Sequence, residues 1–371
     1  MKNKKLIKKI LVMKFRNIGD VLLTTPLIEN LKINYPDAKI DVAVNKGTEE
    51  MLSLNPNISK IHIYDRNFVK KLPLVKKIQK EINFIKKIKK EKYDLVINLT
   101  KGDRGAIIAL FSQAKEKIGF KENFLSNLAF TKSLPLKQGM KHQIEWDLDT
   151  LRVLGGDIKH KKVSIYWDKK DEEKINSLNL PKKFIHFHPV SRWLFKCIDD
   201  KIAAQIIDFI ENELNVKVIL TAAPVEKEIK KIENILNFAK SKPINLAGKL
   251  TLKETAALNK KAKFFVGVDT AIMHIAAANN IPVIAFFGPS GAFHWGPWDN
   301  TLMKSGYNFK NGFQIMGKHK VIQVKWDCAP CGKDGCNGSK ISECLMEKGL
   351  DIEFIKKEIK ESFKKAVNEK H

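Results

Sequence analysis

The chain has 371 residues, and 67 Lys and Arg against 41 Asp and Glu leave a formal net charge of +26. The length is too great for one ordinary core and predicts two domains, while 44% hydrophobic residues exclude a disordered polyelectrolyte. The charge points to an anionic partner or surface. In chain order, MKNKKLIKKILVMKF begins like a signal peptide, but Lys8, Lys9 and Lys14 interrupt its apolar part and no small-residue cleavage site follows. No stretch offers the roughly 18 to 20 uncharged apolar residues of a bilayer span. The expectation is a cytoplasmic protein whose membrane contact is peripheral.

KILVMKF (9–15) reads as a buried strand, VLLTTPLIENLKINYP (21–36) as a helix stopped by Pro36, and KIDVAV (39–44) as the next strand. The segment 69–94 is strongly basic. Pro73 suits a first helical position, and Leu74, Ile78, Ile82, Ile85 and Ile88 follow helical spacing between lysines. It predicts an amphipathic helix, with either a solvated lysine face over a core stripe or a surface for anionic headgroups. KYDLVINL (92–99) is another strand. After the irregular stretch 130–168, KFIHFHP (183–189), VKVILTA (216–222), KFFVGV (263–268) and IPVIAFFG (281–288) repeat the pattern, and 350–367 closes the chain as a helix. Apolar runs alternating with helical periods are the signature of parallel βαβ units, so the fold class is α/β, in two doubly wound halves with the active site between the carboxyl ends of their sheets.

Neither a Walker sequence nor G-x-G-x-x-G after a strand is present, which leaves a helix N-terminus as the device for phosphate. Strand 263–268 runs into Asp269 and Thr270, where a helix begins; Asp269 is either an N-cap or a carboxylate that binds sugar hydroxyls while neighbouring N–H groups take phosphate oxygens. His274 follows on that helix, whereas His186 and His188 read as satisfied core residues. Asp20, beside Gly19 in KFRNIGDVLLTTPLIENL, is by itself an acidic residue favoured by the helix dipole. Cys328, Cys331, Cys336 and Cys344 have the spacing C-x2-C-x4-C-x7-C. That spacing is compatible with a structural zinc site but lacks the second close pair of a ribbon, so reduced thiols or an occasional disulfide are the alternative. Lys333 and Lys340 in this stretch could instead line an acceptor groove.

Over nearly its full length the chain resembles the lipopolysaccharide heptosyltransferases, glycosyltransferase family 9. The resemblance rests on RNIGDVLLTTPLI, HPVSRWLFK, GVDTAIMHIAAA with FGPSGAFHWGPW, and DCAPCGKDGCNGSKISECL, in that order. SRWLFKC and CGKDGCNGSK look most like the heptosyltransferase III subgroup. The resemblance implies a GT-B fold, two Rossmann-like domains facing across a cleft: residues 1–165 for the acceptor, 166–349 for the nucleotide sugar, and a helix 350–371 packing back on the first domain. It implies inverting transfer of L-glycero-D-manno-heptose from ADP-heptose to a heptose of the lipopolysaccharide inner core, at the anionic surface of the inner membrane.

In that reading Asp20 is the general base, and Ser191, Arg192 and Lys196 contact the departing diphosphate, Arg192 alternatively a phosphate of the acceptor. Glu226 meets the ribose hydroxyls, Leu250 frames the adenine, and Asp269, Thr270, Ala271 and His274 complete the donor side. Ala271 stands where relatives often have Gly. No cofactor is required, since GT-B transferases generally work without a divalent metal. Another family-9 transferase, with a different heptose or sugar, is the runner-up; a noncatalytic sugar binder and a basic nucleic-acid binder are more distant. The lysines are spread along the chain without a recognised RNA or DNA motif, so no nucleic-acid partner is expected.

Overall fold

A computed structural model of the chain describes residues 7–135 and 139–368. It divides into two compact units, Met1–Gly139 with Gln143–Tyr166, and Met140–His142 with Trp167–His371. Among the described residues, no helix is long and apolar enough to cross a membrane.

The first unit is built on a parallel sheet of β1 (Lys9–Lys14), β2 (Lys39–Asn45), β3 (Lys60–Tyr64), β4 (Leu95–Asn98), β5 (Glu116–Gly119) and β6 (Lys132–Ser133). Their spatial order is β3-β2-β1-β4-β5-β6. Ile10, Leu11, Val12 and Met13 are all buried because β1 is central, with Ile10 opposite Ile40 on one side and Leu95 on the other. A strand covered on both faces reads as an unbroken apolar run rather than an alternation. The chain crosses to β2 on one side of β1 and later returns to β4 on the other. The loop after β1 therefore opens at the switch point, where α/β sheets bind ligands.

The second unit repeats the plan with β7 (Phe184–His188), β8 (Lys217–Leu220), β9 (Ile244–Asn245), β10 (Phe264–Val268), β11 (Val283–Phe287), β12 (Gln314–Met316) and β13 (His319–Gln323). The order is β12-β13-β11-β10-β7-β8-β9, parallel except for the β12–β13 pair. β7, β10 and β11 are buried throughout. Here the switch point lies between β7 and β10, whose ends register Gly267 with His188.

Two sequence expectations are corrected. The helix expected over 21–36 is two, Ile18–Leu22 and Thr25–Asn34. The Thr24 hydroxyl bonds the Asp20 carbonyl at 3.1 Å and that of Thr25 bonds Leu22 at 2.9 Å, and Pro26 then suits the first turn of the second helix. Pro73 precedes rather than opens its helix, Leu74–Lys90, and the apolar stripe is only partly a core stripe: Ile88 is buried, Ile85 half-buried, and Leu74, Ile78 and Ile82 are exposed. The C-terminal helix, Ile352–Asn368, packs within the second unit. Ile355 and Ile359 are buried in the core of the second unit with Ile206 and Ile207 of helix Asp200–Asp208, and Glu358 pairs with Lys320 of β13 at 2.6 Å. Its amphipathic spacing encoded an apolar face without encoding the surface that would cover it.

A buried ion pair ties the first unit together behind the β1 loop. Lys14, at the end of β1, places its ammonium 2.8 Å from both carboxylate oxygens of Asp147 on helix Gln143–Leu154, and Gln143 donates to the same carboxylate at 2.7 Å. The Thr24 hydroxyl lies 3.3 Å from it. Removing one partner strands a charge away from water, so Asp147→Ala is expected to destabilise the unit by about 3 kcal/mol or more. Urea unfolding followed by circular dichroism checks this; an unchanged midpoint would mean that the pair carries nothing.

Candidate active site

Asp20 sits in the first turn of the short helix that follows β1 and is 6% exposed. Its Oδ1 accepts from Arg16 Nε at 3.1 Å, one turn earlier. No partner of Oδ2 is recorded among the described residues. A carboxylate held by one oxygen, beside a guanidinium and at a switch point, can accept a proton from a group brought to its other oxygen. The Thr24 hydroxyl, bonded to the Asp20 carbonyl and close to Asp147, links this turn to the Lys14–Asp147 pair.

In the second unit the loops after β7 and β10 bring Lys196 and Asp269 together, Nζ to Oδ2 at 2.5 Å. The Ser290 hydroxyl donates to the same oxygen at 2.5 Å. Ser290 follows β11, and its loop is held by Gln323 at the end of β13, whose amide donates to the Gly288 and Ser290 carbonyls at 2.7 and 3.0 Å. Burial pushes the Asp269 carboxyl up, but the charge and hydrogen bond of Lys196, the Ser290 hydroxyl and the His274 ring outweigh it. The net result is a carboxyl below the usual range, ionised at neutral pH. Thr270 caps helix Ala271–Ala278 from an extended conformation, and its hydroxyl is buried without a hydrogen-bond partner among the described residues. The first-turn N–H groups of that helix have no intrahelical acceptors and carry the positive end of its dipole.

Ser191 and Arg192 lie on the same loop as Lys196. Ser191 is buried, its N–H donating to the Cys197 sulfur at 3.2 Å and its hydroxyl accepting from Trp193 N–H at 3.2 Å. The Arg192 guanidinium and the Lys196 ammonium both lie over the Trp193 indole, 4.6 and 5.2 Å from its centre. Two cations gathered on one ring beside a helix N-terminus make a site for a polyanion. Ala271 opens its helix without a positive φ, so glycine is not needed there for backbone conformation. His274 is buried on the same helix.

Two expected members stand apart. Glu226 is exposed at the first position of helix Glu226–Phe238, with no recorded bond to the Lys196–Asp269 pair. Leu250 is half-buried against the apolar cluster that includes Ile175 and Leu258. The buried carboxylate of that region is Glu228, which accepts from Ala223 N–H at 3.0 Å; burial pushes its pKa up, opposed by that bond and the charges of Lys227 and Arg192. TAAPVEKE offers two glutamates, and nothing local says which folds inward. Ser290 lay within a quoted motif, but an isolated Ser among Gly and Pro carries no signal of its own. All five cysteines are free, Cys328 and Cys331 exposed and Cys344 buried. Among the described residues, no three His, Cys, Asp or Glu side chains are gathered to hold a metal ion.

His186 and His188, read as core residues, are buried in a polar network at the end of β7. His186 bonds Asn259 and Thr221, each at 2.6 Å, and His188 bonds the same Thr221 hydroxyl at 2.8 Å. Burial lowers them to about 4 and about 3, so both rings are neutral beneath the site.

The profile of glycosyltransferase family 9 (heptosyltransferase) matches residues 82–318. Lipopolysaccharide heptosyltransferase 3 of Escherichia coli is 33% identical over 295 residues, 77% of this chain and 85% of that one. The crystal structure of a family-9 glycosyl transferase from Veillonella parvula DSM 2008 superposes with a TM-score of 0.77 at 21% identity, covering 96% of this chain and 97% of the other. The E. coli ADP-heptose lps heptosyltransferase II structure gives 0.71 at 18% identity, covering 97% and 99%. The fold is thus GT-B, with two Rossmann-like units.

The buried histidines predict an acid-sensitive second unit. Each binds a proton on unfolding that it refuses when folded, so stability is full above about pH 6.5. It falls as pH drops towards 4, by about 1.4 kcal/mol per pH unit for each ring. Urea midpoints measured between pH 7 and pH 4.5 check the slope, and His188→Gln is expected to flatten it by about one proton.

Proposed function

The chain belongs to glycosyltransferase family 9, the heptosyltransferases, and from that premise we propose that it transfers L-glycero-D-manno-heptose, with inversion, from ADP-heptose to a heptose of the lipopolysaccharide inner core. The observation that carries this reading is the Lys196–Asp269 pair in the loops after β7 and β10, set beside a helix N-terminus, with Arg192 joining Lys196 over the Trp193 ring. Such an arrangement suits a nucleoside diphosphate leaving group. The names of the relatives support the sugar, the donor and the acceptor: the E. coli protein at 33% identity is a lipopolysaccharide heptosyltransferase 3, and heptosyltransferase II is named for ADP-heptose.

In this mechanism an acceptor hydroxyl attacks the anomeric carbon of the donor while Asp20 takes its proton. The new oxygen–carbon bond forms as the bond to the diphosphate breaks, and the electron pair departs with ADP. Lys196 has three N–H donors, and Asp269 engages it while leaving others to meet the developing charge. Ser191 and Arg192 add hydroxyl and guanidinium contacts, and Thr270 and the N–H groups at Ala271 receive phosphate oxygens. Asp269 holds Lys196 in place, with His274 behind it. Glu226 and Leu250 keep the ribose and adenine assignments. The reaction needs no metal in this scheme, and the cysteines are reduced thiols. The acceptor places the enzyme in the cytoplasm, peripherally at the inner membrane, and the surplus of lysine favours that anionic surface.

ADP release is the test, with purified protein, ADP-heptose and a panel of truncated lipopolysaccharide cores. Turnover restricted to cores already carrying a second heptose is the expected result; turnover only with another nucleotide sugar would assign the chain to a different family-9 activity. Asp20→Asn is expected to lower kcat by about 10² to 10⁴ while ADP still binds. Loss of ADP binding in that variant would make Asp20 structural. Lys196→Ala is expected to lower kcat by about 10² and to weaken ADP binding as well.

A further inference from the structure

The apolar stripe of helix Leu74–Lys90 has two fates along its length. Its C-terminal end is anchored: Ile88 is fully buried in the core of the first unit, and Phe84 and Ile85 pack against the same cluster. Its N-terminal half is not covered. Leu74 is 70% exposed, Val75 68%, Ile78 49% and Ile82 43%, and all four fall on one side of the helix by its period of 3.6 residues. Single exposed apolar side chains are ordinary; four within nine residues on one face of a helix form a patch that needs a partner.

The charge around the patch names the kind of partner. Between Arg66 and Lys92 the acidic residues are Glu81 and Glu91, and both are turned to the chain itself. Glu81 is engaged by the Tyr64 hydroxyl and Arg104, and Glu91 by Lys9 and Lys60. Lys71, just before the helix, and Lys86 and Lys89, which fall on the stripe's side of it, are exposed. An uncovered apolar stripe with lysines along its flanks suits the boundary of an anionic bilayer, where the stripe enters the acyl region and the ammonium groups reach the headgroups. A second copy of this chain would bring the same lysines into opposition, and an apolar protein groove would leave them without counter-charge.

We propose that the exposed apolar stripe of helix Leu74–Lys90 is the element that docks this protein on an anionic lipid surface. This rests on the peripheral inner-membrane placement proposed above and assigns it to named side chains. The contact is salt-dependent, because its electrostatic part is exposed and screened, and it leaves the chemistry untouched, because none of these residues belongs to the candidate active site.

Flotation of the full chain with vesicles of phosphatidylethanolamine and phosphatidylglycerol, against vesicles of phosphatidylcholine, tests it. Two variants are compared with the wild type: Leu74→Ser with Val75→Ser and Ile78→Ser, and Lys71→Gln with Lys86→Gln and Lys89→Gln. Circular dichroism and ADP release with a water-soluble deacylated core oligosaccharide report that both remain folded and active. The expected result is binding of the wild type to anionic vesicles only, weakened by added salt, and a loss of about tenfold or more in partition in each variant with turnover on the soluble acceptor unchanged. Variants that float like the wild type would overturn the helix as the docking element while leaving the peripheral placement intact. A wild type that binds neither vesicle would overturn both. A wild-type dimer that becomes monomeric in the Ser variant would make the patch a self-association surface and overturn the lipid assignment.

Discussion

A parallel strand buried on both faces delivers its carboxyl end to the same edge of the sheet as its neighbours, and both units depend on that constraint. β1 carries the chain to Asp20, β7 to the Ser191–Lys196 loop, β10 to Asp269, β11 to Ser290 and β13 to Gln323. Within the second unit, residues separated by scores of positions therefore converge on one edge without any local sequence relation. The edge also takes polar side chains out of bulk water, which raises the worth of each well-placed partner and the cost of each missing one.

Asp269 illustrates the balance. Burial alone would favour its neutral form; Lys196, Ser290 and His274 reverse this and keep it charged. Such a pair adds little net stability, because desolvation consumes most of its Coulomb energy, but it fixes an ammonium at a chosen point. Lys14 and Asp147 do the same in the first unit, joining the end of β1 to helix Gln143–Leu154. In both units a long flexible side chain becomes a positioned one.

The large positive charge has a different structural meaning. Many of the lysines between residues 66 and 92 face solvent, while the acids of that segment are bonded inward, so the surface there is more basic than the local composition suggests. The helix they ride on is apolar enough to be anchored at one end and uncovered at the other. Its sequence is compatible with burial, and its exposure is decided by what the rest of the unit supplies as cover.

Much of the fold was legible locally. Strands such as KILVMK and VIAFF are apolar runs because both faces are covered, and they stand within a few residues of where the periodicity puts them. β3, with its alternating exposure, and the two-residue β6 and β9 carry no comparable signal. Asp20, Lys196 and Asp269 could be singled out because charged residues follow buried strands there, and the family motifs sharpened the choice. The interruption at Thr24, the burial of Glu228 rather than Glu226, the place of Ser290 and the docking of the final helix on the second unit were not legible. Periodicity records which face of an element is apolar, and a motif records which residue types stand together. What covers that face, and which oxygen meets which ammonium, depends on contacts between segments as distant as Lys196 and Asp269, and these exist only once the sheets have assembled.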